Sequence, residues 1–177
     1  MKRILIIIGV IAVVLLAGYL TLRGITKSKS PEAIAQVNQN GLSIRVDYCQ
    51  PYKKGRKIFG GLVPYGQVWR TGANEATVID FDQDVFVAGQ PLAEGKYSLW
   101  TIPSQGGWIA IFNRETGQWG TNYDQTKDAL RVPVPARTRS RVAEQFYISF
   151  MPDDEGTDMV LAWDKTEAIV PIRKRDK

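Results

Sequence analysis

The stretch from Gly55 to Thr77 reads GRKIFGGLVPYGQVWRTGANEAT, and it separates two segments that carry a clear β pattern. It holds five glycines and a proline, so it is too interrupted to form one strand. Its apolar residues, Trp69 among them, make it too hydrophobic for a solvated linker. We therefore predict a shaped, partly buried loop flanked by strands, and we expect the rest of the chain to be organised around it.

The composition predicts one folded domain and excludes several kinds of chemistry. The chain has 177 residues, of which 44% are hydrophobic and 23% charged, as in an ordinary globular domain. It has no histidine, which removes the commonest general base, the Ser-His triad and most zinc and iron sites. The single cysteine, Cys49, cannot form an internal disulfide, and we expect it to be a small buried group near the end of a strand. We expect neither a metal nor a cofactor.

The N-terminal segment predicts a membrane anchor. The run from Ile4 to Leu22 has 19 residues without a charge, enough for a helix to span a hydrocarbon layer of about 30 Å. A cleaved signal peptide is the alternative, but its apolar core normally has about 7–15 residues. Tyr19 stands where a lipoprotein would carry its lipidated cysteine. We divide the chain into an anchor at residues 1–25, a Lys/Ser linker at 26–30 and a domain at 31–177.

The net charge of +5 does not indicate a nucleic-acid-binding protein, because no DNA or RNA motif accompanies it. Much of the charge flanks the apolar run on both sides, so the Lys/Arg bias does not fix the orientation of the anchor. A long domain behind such a helix is usually exported, and we expect a periplasmic or extracellular location in the cell envelope. The expected partners are the membrane, through residues 4–22, and a small molecule, a glycan or an envelope protein.

A period of two in the apolar residues predicts an all-β domain. In Leu42 to Tyr48, apolar residues alternate with polar ones, as in a half-buried strand. The segments from Lys96 to Ile102 and from Trp108 to Phe112 are apolar on both faces, which is typical of central strands. Further strands are predicted at 76–81, 85–87, 130–134, 146–151, 158–163 and 168–172. We predict an antiparallel two-sheet sandwich, of which a jelly roll is one form, behind one transmembrane helix.

Three strings of this sequence resemble a known family. They are PYKKGRKIFG at residues 51–60, LVPYG at 62–66 and WRTGANEAT at 69–77, and they are similar to the hallmark of the bacterial domain-of-unknown-function family 2911. Further similarities lie at residues 92–99, 119–120, 123–124, 128–131 and 163. The resemblance implies a compact, mostly β, extracytoplasmic domain behind a signal or lipoprotein leader. It implies no activity.

The central stretch also predicts a ligand-binding site. Arg56 and Arg70 can each present a planar fork to a carboxylate or phosphate. Asn74 and Glu75 add an amide and a carboxylate beside them. Four aromatic side chains can form the walls of a pocket: Tyr65, Trp69, Trp119 and Tyr123. Apolar walls with a few fixed polar groups are typical of sites for small molecules.

Two other interpretations of these residues stay open. In the first, which we favour, Arg70 and Glu75 form a buried ion pair that braces the loop, with Asn74 in a left-handed turn. In the second, Glu75 is the general acid or base of a hydrolase or lyase, and Arg70 stabilises an oxyanion. The sequence contains no nucleophile motif such as G-x-S-x-G, so the catalytic residues of such an enzyme stay unknown.

An acidic segment near the C-terminus suggests a calcium site as one alternative. It contains Asp153, Asp154, Glu155 and Asp158, and Ca²⁺ prefers several carboxylate oxygens. Their spacing does not match an EF-hand loop, and the tips of hairpins are commonly acidic. We therefore favour a solvated hairpin turn.

Overall fold

The computed structural model describes residues 2–39 and 41–175. Its only α-helix in those ranges, α1, is Lys2–Lys29, and it is long and apolar enough to cross a membrane. The helix has 28 residues and a length of about 42 Å, which matches a hydrocarbon layer with its two headgroup layers. Residues 26–29, for which the composition predicted a linker, are its last turn. The chain then enters the first strand directly after Pro31.

Ten strands and one short 3-10 helix, Gln125–Lys127, follow α1 in the described ranges. In chain order, β1 to β10 are Glu32–Gln39, Leu42–Cys49, Thr77–Phe81, Val85–Val87, Gln90–Leu92, Gly95–Ile102, Trp108–Asn113, Asp128–Val134, Ala136–Pro152 and Gly156–Lys174. One sheet has six strands in the order β1-β2-β3-β6-β7-β8, and the other has four in the order β5-β4-β10-β9. All neighbours are antiparallel. The predicted two-sheet β sandwich behind an N-terminal helix is confirmed.

The alternating pattern of β2 and the doubly apolar pattern of β6 and β7 have the predicted consequences. In β2 the apolar side chains are buried in the core between the sheets, and most of the polar ones are exposed. In the central pair, Leu99 and Phe112 enter that core. Trp100 and Ile111 alternate with them and form a smaller cluster with Ala76. Both faces of the central strands are therefore covered.

Strand β10 differs from its prediction, because it runs unbroken where two strands were expected at 158–163 and 168–172. Its pairing with β9 shifts register on both sides of Asp164, a residue with φ 54°. Such a bulge adds a residue without ending the strand. The charged residues Asp164 and Lys165 interrupt the apolar pattern there, although the backbone pairing continues.

The Gly55–Thr77 stretch is the predicted shaped loop, and it lies between β2 and β3. Before Thr77, where β3 begins, its backbone pairs only at isolated points, such as Trp69 with Thr101. Ile58 and Phe59 enter the main core. The ring of Trp69 stacks on Trp163 of β10 with centroids 5.9 Å apart. These contacts fix an irregular segment against the sandwich.

Two smaller expectations agree with the structure. Cys49 is the last residue of β2 and is 4% exposed. The acidic hairpin between β9 and β10 is balanced by Arg173, whose guanidinium lies 3.1 Å from carboxylate oxygens of both Asp153 and Asp158. The charge of this turn therefore has a partner in the protein itself.

Candidate functional site

A cavity of about 510 Å³ lies between the end of helix α1 and the Gly55–Thr77 stretch. This volume is within the usual range of about 300–1,000 Å³ for small-molecule sites. Four of its lining residues are cations, so we call it the basic cavity: Lys29, Lys54, Arg56 and Arg70. Within the described ranges, no aspartate or glutamate lines it. The cavity therefore has a strongly positive lining.

Apolar side chains form another part of its wall. Trp69 and Trp163, which stack on each other, both line it. Leu62 also lines it and is 47% exposed. Trp163 is 1% exposed, and its Nε1 has no hydrogen-bond partner among the described residues. The cavity thus has apolar surface beside its cations.

Arg70 is the most buried of the four cations, since the other three are exposed. Its Nε is buried without a hydrogen-bond partner in the part of the chain that the structure describes. Its Nη1 donates a long hydrogen bond of 3.4 Å to the carbonyl of Gly120. No ion pair between described residues includes Arg70. Burial lowers the pKa of its guanidinium, but an arginine stays protonated.

Gly120 packs directly against this arginine. A Cβ at Gly120 would lie 1.9 Å from Cδ of Arg70 and 2.7 Å from the carbonyl oxygen of Asn74. Any side chain here would therefore collide with the arginine stem. The absence of a side chain at residue 120 is what lets Arg70 occupy its position.

The backbone next to Arg70 is strained. Thr71 has φ 51° and Asn74 has φ 61°, both in the left-handed region. For a β-branched residue such as threonine this is a genuine outlier, and it costs about 1–3 kcal/mol. Hydrogen bonds hold the turn: Thr77 Oγ1 donates to the Thr71 carbonyl (2.8 Å), and the two hydroxyls of Thr71 and Thr101 lie 3.1 Å apart. Strain of this kind is concentrated at functional sites.

Asn74 connects the turn to its surroundings. Its carbonyl accepts a hydrogen bond from the N–H of Gly120 (2.9 Å). Its side-chain amide donates to the carbonyl of Ser30, directly after helix α1 (3.4 Å). The left-handed turn predicted for Asn74 is confirmed. This residue thus links the loop of Arg70 to the end of the helix.

Arg56 is positioned by the backbone around it. Its Nε donates to the carbonyl of Lys53 (3.0 Å), and its Nη2 donates to the carbonyl of Tyr52. The guanidinium forms no ion pair with another described residue. The same is true of Lys29 and Lys54. Within the described ranges, all four cations of the basic cavity are therefore without a carboxylate partner.

The structure brings together only half of the predicted site residues. Those that line the basic cavity are Arg56, Trp69, Arg70 and Asn74. Tyr65 lies beside a different cavity and packs against Gly60. Trp119 is 44% exposed and pairs through its backbone with Glu75. Tyr123 belongs to a separate cluster with Asp128 and Arg131.

Glu75 does not pair with Arg70, so the proposed brace between them is not formed. Its carboxylate accepts a hydrogen bond from Lys27 Nζ (2.7 Å) and lies 3.7 Å from the guanidinium of Arg23. Burial alone would raise the pKa of Glu75, but the hydrogen bond from Lys27, a backbone hydrogen bond and the charges of Lys27 and Arg23 outweigh it and lower the pKa. Glu75 is therefore ionised at neutral pH and attaches the last turns of helix α1 to the domain.

Tyr123 has a structural environment of its own. Its hydroxyl donates to Asp128 Oδ2 (2.7 Å) and accepts from Arg131 (2.5 Å). Its ring packs on Trp100 in the smaller apolar cluster. Burial, together with the hydrogen bond to Asp128, raises the pKa of Tyr123 to about 12. The hydroxyl of Tyr123 therefore both donates and accepts a hydrogen bond within the protein.

Sequence reasoning missed three residues of the cavity: Lys29, Lys54 and Trp163. Lys54 is only two residues from Arg56 in the string at 51–60, and that proximity could have identified it. Lys29 comes from the segment assigned to a linker, and Trp163 from a strand more than 90 residues beyond Arg70. Only the folded chain brings these two to the loop.

Among known proteins, one family matches this sequence. The sequence matches a family described as proteins of unknown function, DUF2911, over residues 30–172, most of the chain. The chain belongs to the DUF2911 family. No curated protein and no solved structure matches it. The DUF2911 region contains the whole lining of the basic cavity except Thr26 and Lys29, which helix α1 contributes.

Proposed function

We propose that this chain is a membrane-anchored envelope protein whose DUF2911 domain binds a small anionic molecule in the basic cavity. The observation that carries the proposal is Arg70, a half-buried guanidinium with an unsatisfied Nε and no carboxylate partner in the described structure. Charges that leave water are normally paired, because desolvation of an unpaired charge is costly. An anionic ligand would supply the missing partner.

The other cations strengthen the argument. Arg56, Lys29 and Lys54 line the same cavity, and none of them has a carboxylate partner within the described ranges. Four positive charges favour an anion over a neutral glycan, because each adds a charge-assisted hydrogen bond or a favourable Coulomb term. The stacked pair Trp69 and Trp163 offers apolar surface to the rest of the ligand.

Binding is better supported than catalysis. An acid or base works best when its pKa is near the working pH, whereas the pKa of Glu75 is lowered. Glu75 also lies beside Arg23 and Lys27 rather than in the lining of the basic cavity. An enzymatic role for Glu75 therefore finds no support in its surroundings.

Helix α1 supports the proposed location. Its long uncharged run supports an anchor that stays in the membrane, and a domain of this length behind an N-terminal helix is generally exported. The DUF2911 domain would then lie on the periplasmic or extracellular side. Fusion of reporter enzymes to the C-terminus, active on one side of the membrane only, measures this orientation.

A thermal-shift screen of the full chain in detergent tests the binding function. Matched pairs of compounds, such as glycerol 3-phosphate with glycerol and a fatty carboxylate with its alcohol, isolate the contribution of the negative charge. We expect members of the anionic class to raise Tm and their neutral partners to leave it unchanged. Arg70→Gln should weaken the binding at least tenfold, since a charge-assisted pair contributes about 1.5–3 kcal/mol.

Arg137→Gln is the matched control, because Arg137 is exposed, lies outside the basic cavity and carries the same charge. It should bind as the wild type does. Equal shifts with anionic and neutral compounds would contradict the proposal. So would an Arg70→Gln variant that binds the anion as tightly as Arg137→Gln.

A further inference from the structure

We infer that the anion is the phosphate monoester group of an amphiphile that lies in the same membrane as helix α1. The inference rests on the proposed anion-binding function and names the class of its ligand. Three features of the structure carry it: the depth of the basic cavity relative to the helix, the number of its cations, and its exposed apolar edge.

The depth follows from the continuity of helix α1. The uncharged run ends at Leu22, and Thr26 and Lys29, which line the cavity, lie four and seven residues further along the same helix. At 1.5 Å per residue, these two residues are about 6 and 10 Å beyond the hydrocarbon layer. Each headgroup layer is about 5–8 Å thick. The helix therefore places one wall of the cavity at the level of the lipid phosphates and just above it.

This depth is fixed by contacts between helix and domain. Lys27 donates to Glu75 and to Glu32 of β1, so the last turn of the helix is attached to the first strand and to the loop. The amide of Asn74 donates to the carbonyl of Ser30, just after the helix. The domain is thereby held against the membrane end of α1, with the basic cavity beside it.

The number of cations favours phosphate over carboxylate. A phosphate monoester carries a charge of about −1.5 to −2 at neutral pH and has three strong acceptor oxygens, whereas a carboxylate carries −1 and has two. The cavity offers the guanidinium groups of Arg70 and Arg56, the latter already bonded to two backbone carbonyls, and two ammonium groups, Lys29 and Lys54. Arginine forks match the geometry of phosphate oxygens. A single carboxylate would neutralise only one of the four positive charges in the lining.

The apolar edge suits the chain of such a molecule. Leu62 lines the cavity and leaves 47% of its surface exposed. Val68, in the same loop, is 37% exposed. A soluble phosphate has no apolar group that could cover this surface, whereas an acyl or isoprenoid chain that extends into the bilayer would cover it. The gain is about 25 cal/mol for each Å² of apolar surface removed from water.

The test uses the full chain in nanodiscs and measures the Tm of the domain by tryptophan fluorescence. One set of discs contains phosphatidylcholine with phosphatidic acid, a phosphate monoester, and a second contains phosphatidylglycerol at the same surface charge. A third arm adds inorganic phosphate or glycerol 3-phosphate to discs of phosphatidylcholine alone. We expect phosphatidic acid to raise Tm by about 5 °C or more relative to phosphatidylglycerol when it is well above its Kd.

Two variants assign this shift to the basic cavity. Arg70→Gln should abolish it, and Lys29→Gln combined with Lys54→Gln should reduce it by at least half. Both lysines are exposed, so the second variant keeps its fold even where Arg70→Gln does not. Arg137→Gln removes the same charge from another surface and should retain the full shift.

The outcomes separate this inference from the proposed function. An equal shift with phosphatidylglycerol, or a full shift in both cavity variants, would overturn it. If soluble phosphates raise Tm as much as phosphatidic acid does, the lipid source is wrong, while anion binding stands. If only carboxylates bind, and they bind through Arg70, the phosphate inference is wrong while the proposed anion-binding function still holds. A wild-type protein that responds to no anion would overturn both.

Discussion

Gly120→Ala is the substitution whose effect the structure defines most sharply. The new Cβ would lie 1.9 Å from Cδ of Arg70, about half of a normal carbon-carbon contact. Overpacking of this kind costs about 1–3 kcal/mol. The Cβ would also lie 2.7 Å from the Asn74 carbonyl and weaken its hydrogen bond to the residue 120 N–H, at a cost of about 0.5–1.5 kcal/mol. We expect a total loss of about 2–4 kcal/mol.

Urea unfolding of the full chain in detergent, followed by tryptophan fluorescence, measures this loss. The variant should unfold at lower urea with an unchanged slope, which indicates a change in stability alone. Gly106→Ala is the matched control, because Gly106 has no atom within 4 Å of an added Cβ and its φ is not in the left-handed region. The control should be neutral or slightly stabilising.

A double-mutant cycle identifies the clashing partner. Combined with Arg70→Ala, which removes the arginine stem, Gly120→Ala should recover at least half of its loss, because only the contact with Asn74 is left. A Gly120→Ala variant as stable as Gly106→Ala would contradict the predicted clash with Arg70. The same conclusion would follow if removal of the Arg70 side chain restored none of the stability lost in Gly120→Ala.

Three further predictions concern other parts of the chain. Val13→Lys, at the middle of α1, costs about 2.5–3.5 kcal/mol of insertion free energy and should move part of the protein to the soluble fraction on cell fractionation. Glu75→Gln should lower Tm at pH 7, and this loss should shrink as the pH falls below 4.5. The pKa of Glu75 is lowered in the folded state, so its carboxylate stabilises the fold above the unfolded pKa of 4.5, and this contribution is lost as the pH falls through the folded pKa. Tyr123→Phe should cost about 1 kcal/mol at pH 8 by urea unfolding. Because the folded pKa of Tyr123 is raised to about 12, the wild type should lose this advantage between about pH 10 and pH 12.

The sequence predicted the strands whose burial is decided locally. In β2 every second side chain is apolar, and the pattern alone identifies a half-buried strand. Strand β1 escaped prediction because it pairs only with β2 at the edge of its sheet, where polar residues such as Gln36 and Asn38 are tolerated. The first half of β9, rich in arginine, escaped for a similar reason. Edge strands owe their pairing to their neighbours rather than to their own apolar pattern.

The sequence grouped those residues of the basic cavity that are close together in the chain. Arg70 and Asn74 belong to one loop, and both line the basic cavity. Glu75 is next to Asn74, but it pairs with helix α1 instead, and only the left-handed turn at Asn74 and the docking of the helix decide this. Trp163 and Lys29 reach the cavity through long-range packing, which no local pattern encodes.

The proposed function requires that Arg70 is held half-buried without a carboxylate, so that a ligand's anion can pair with it. The most direct test is the free energy of unfolding of Arg70→Met without ligand. Methionine fills similar volume and gives up only the 3.4 Å hydrogen bond to Gly120, while the cost of burying a charge disappears. We predict a stability equal to that of the wild type within about 1 kcal/mol, or higher. A loss of about 3–5 kcal/mol, as when one partner of a buried ion pair is removed, would contradict the claim and restore a structural role for Arg70.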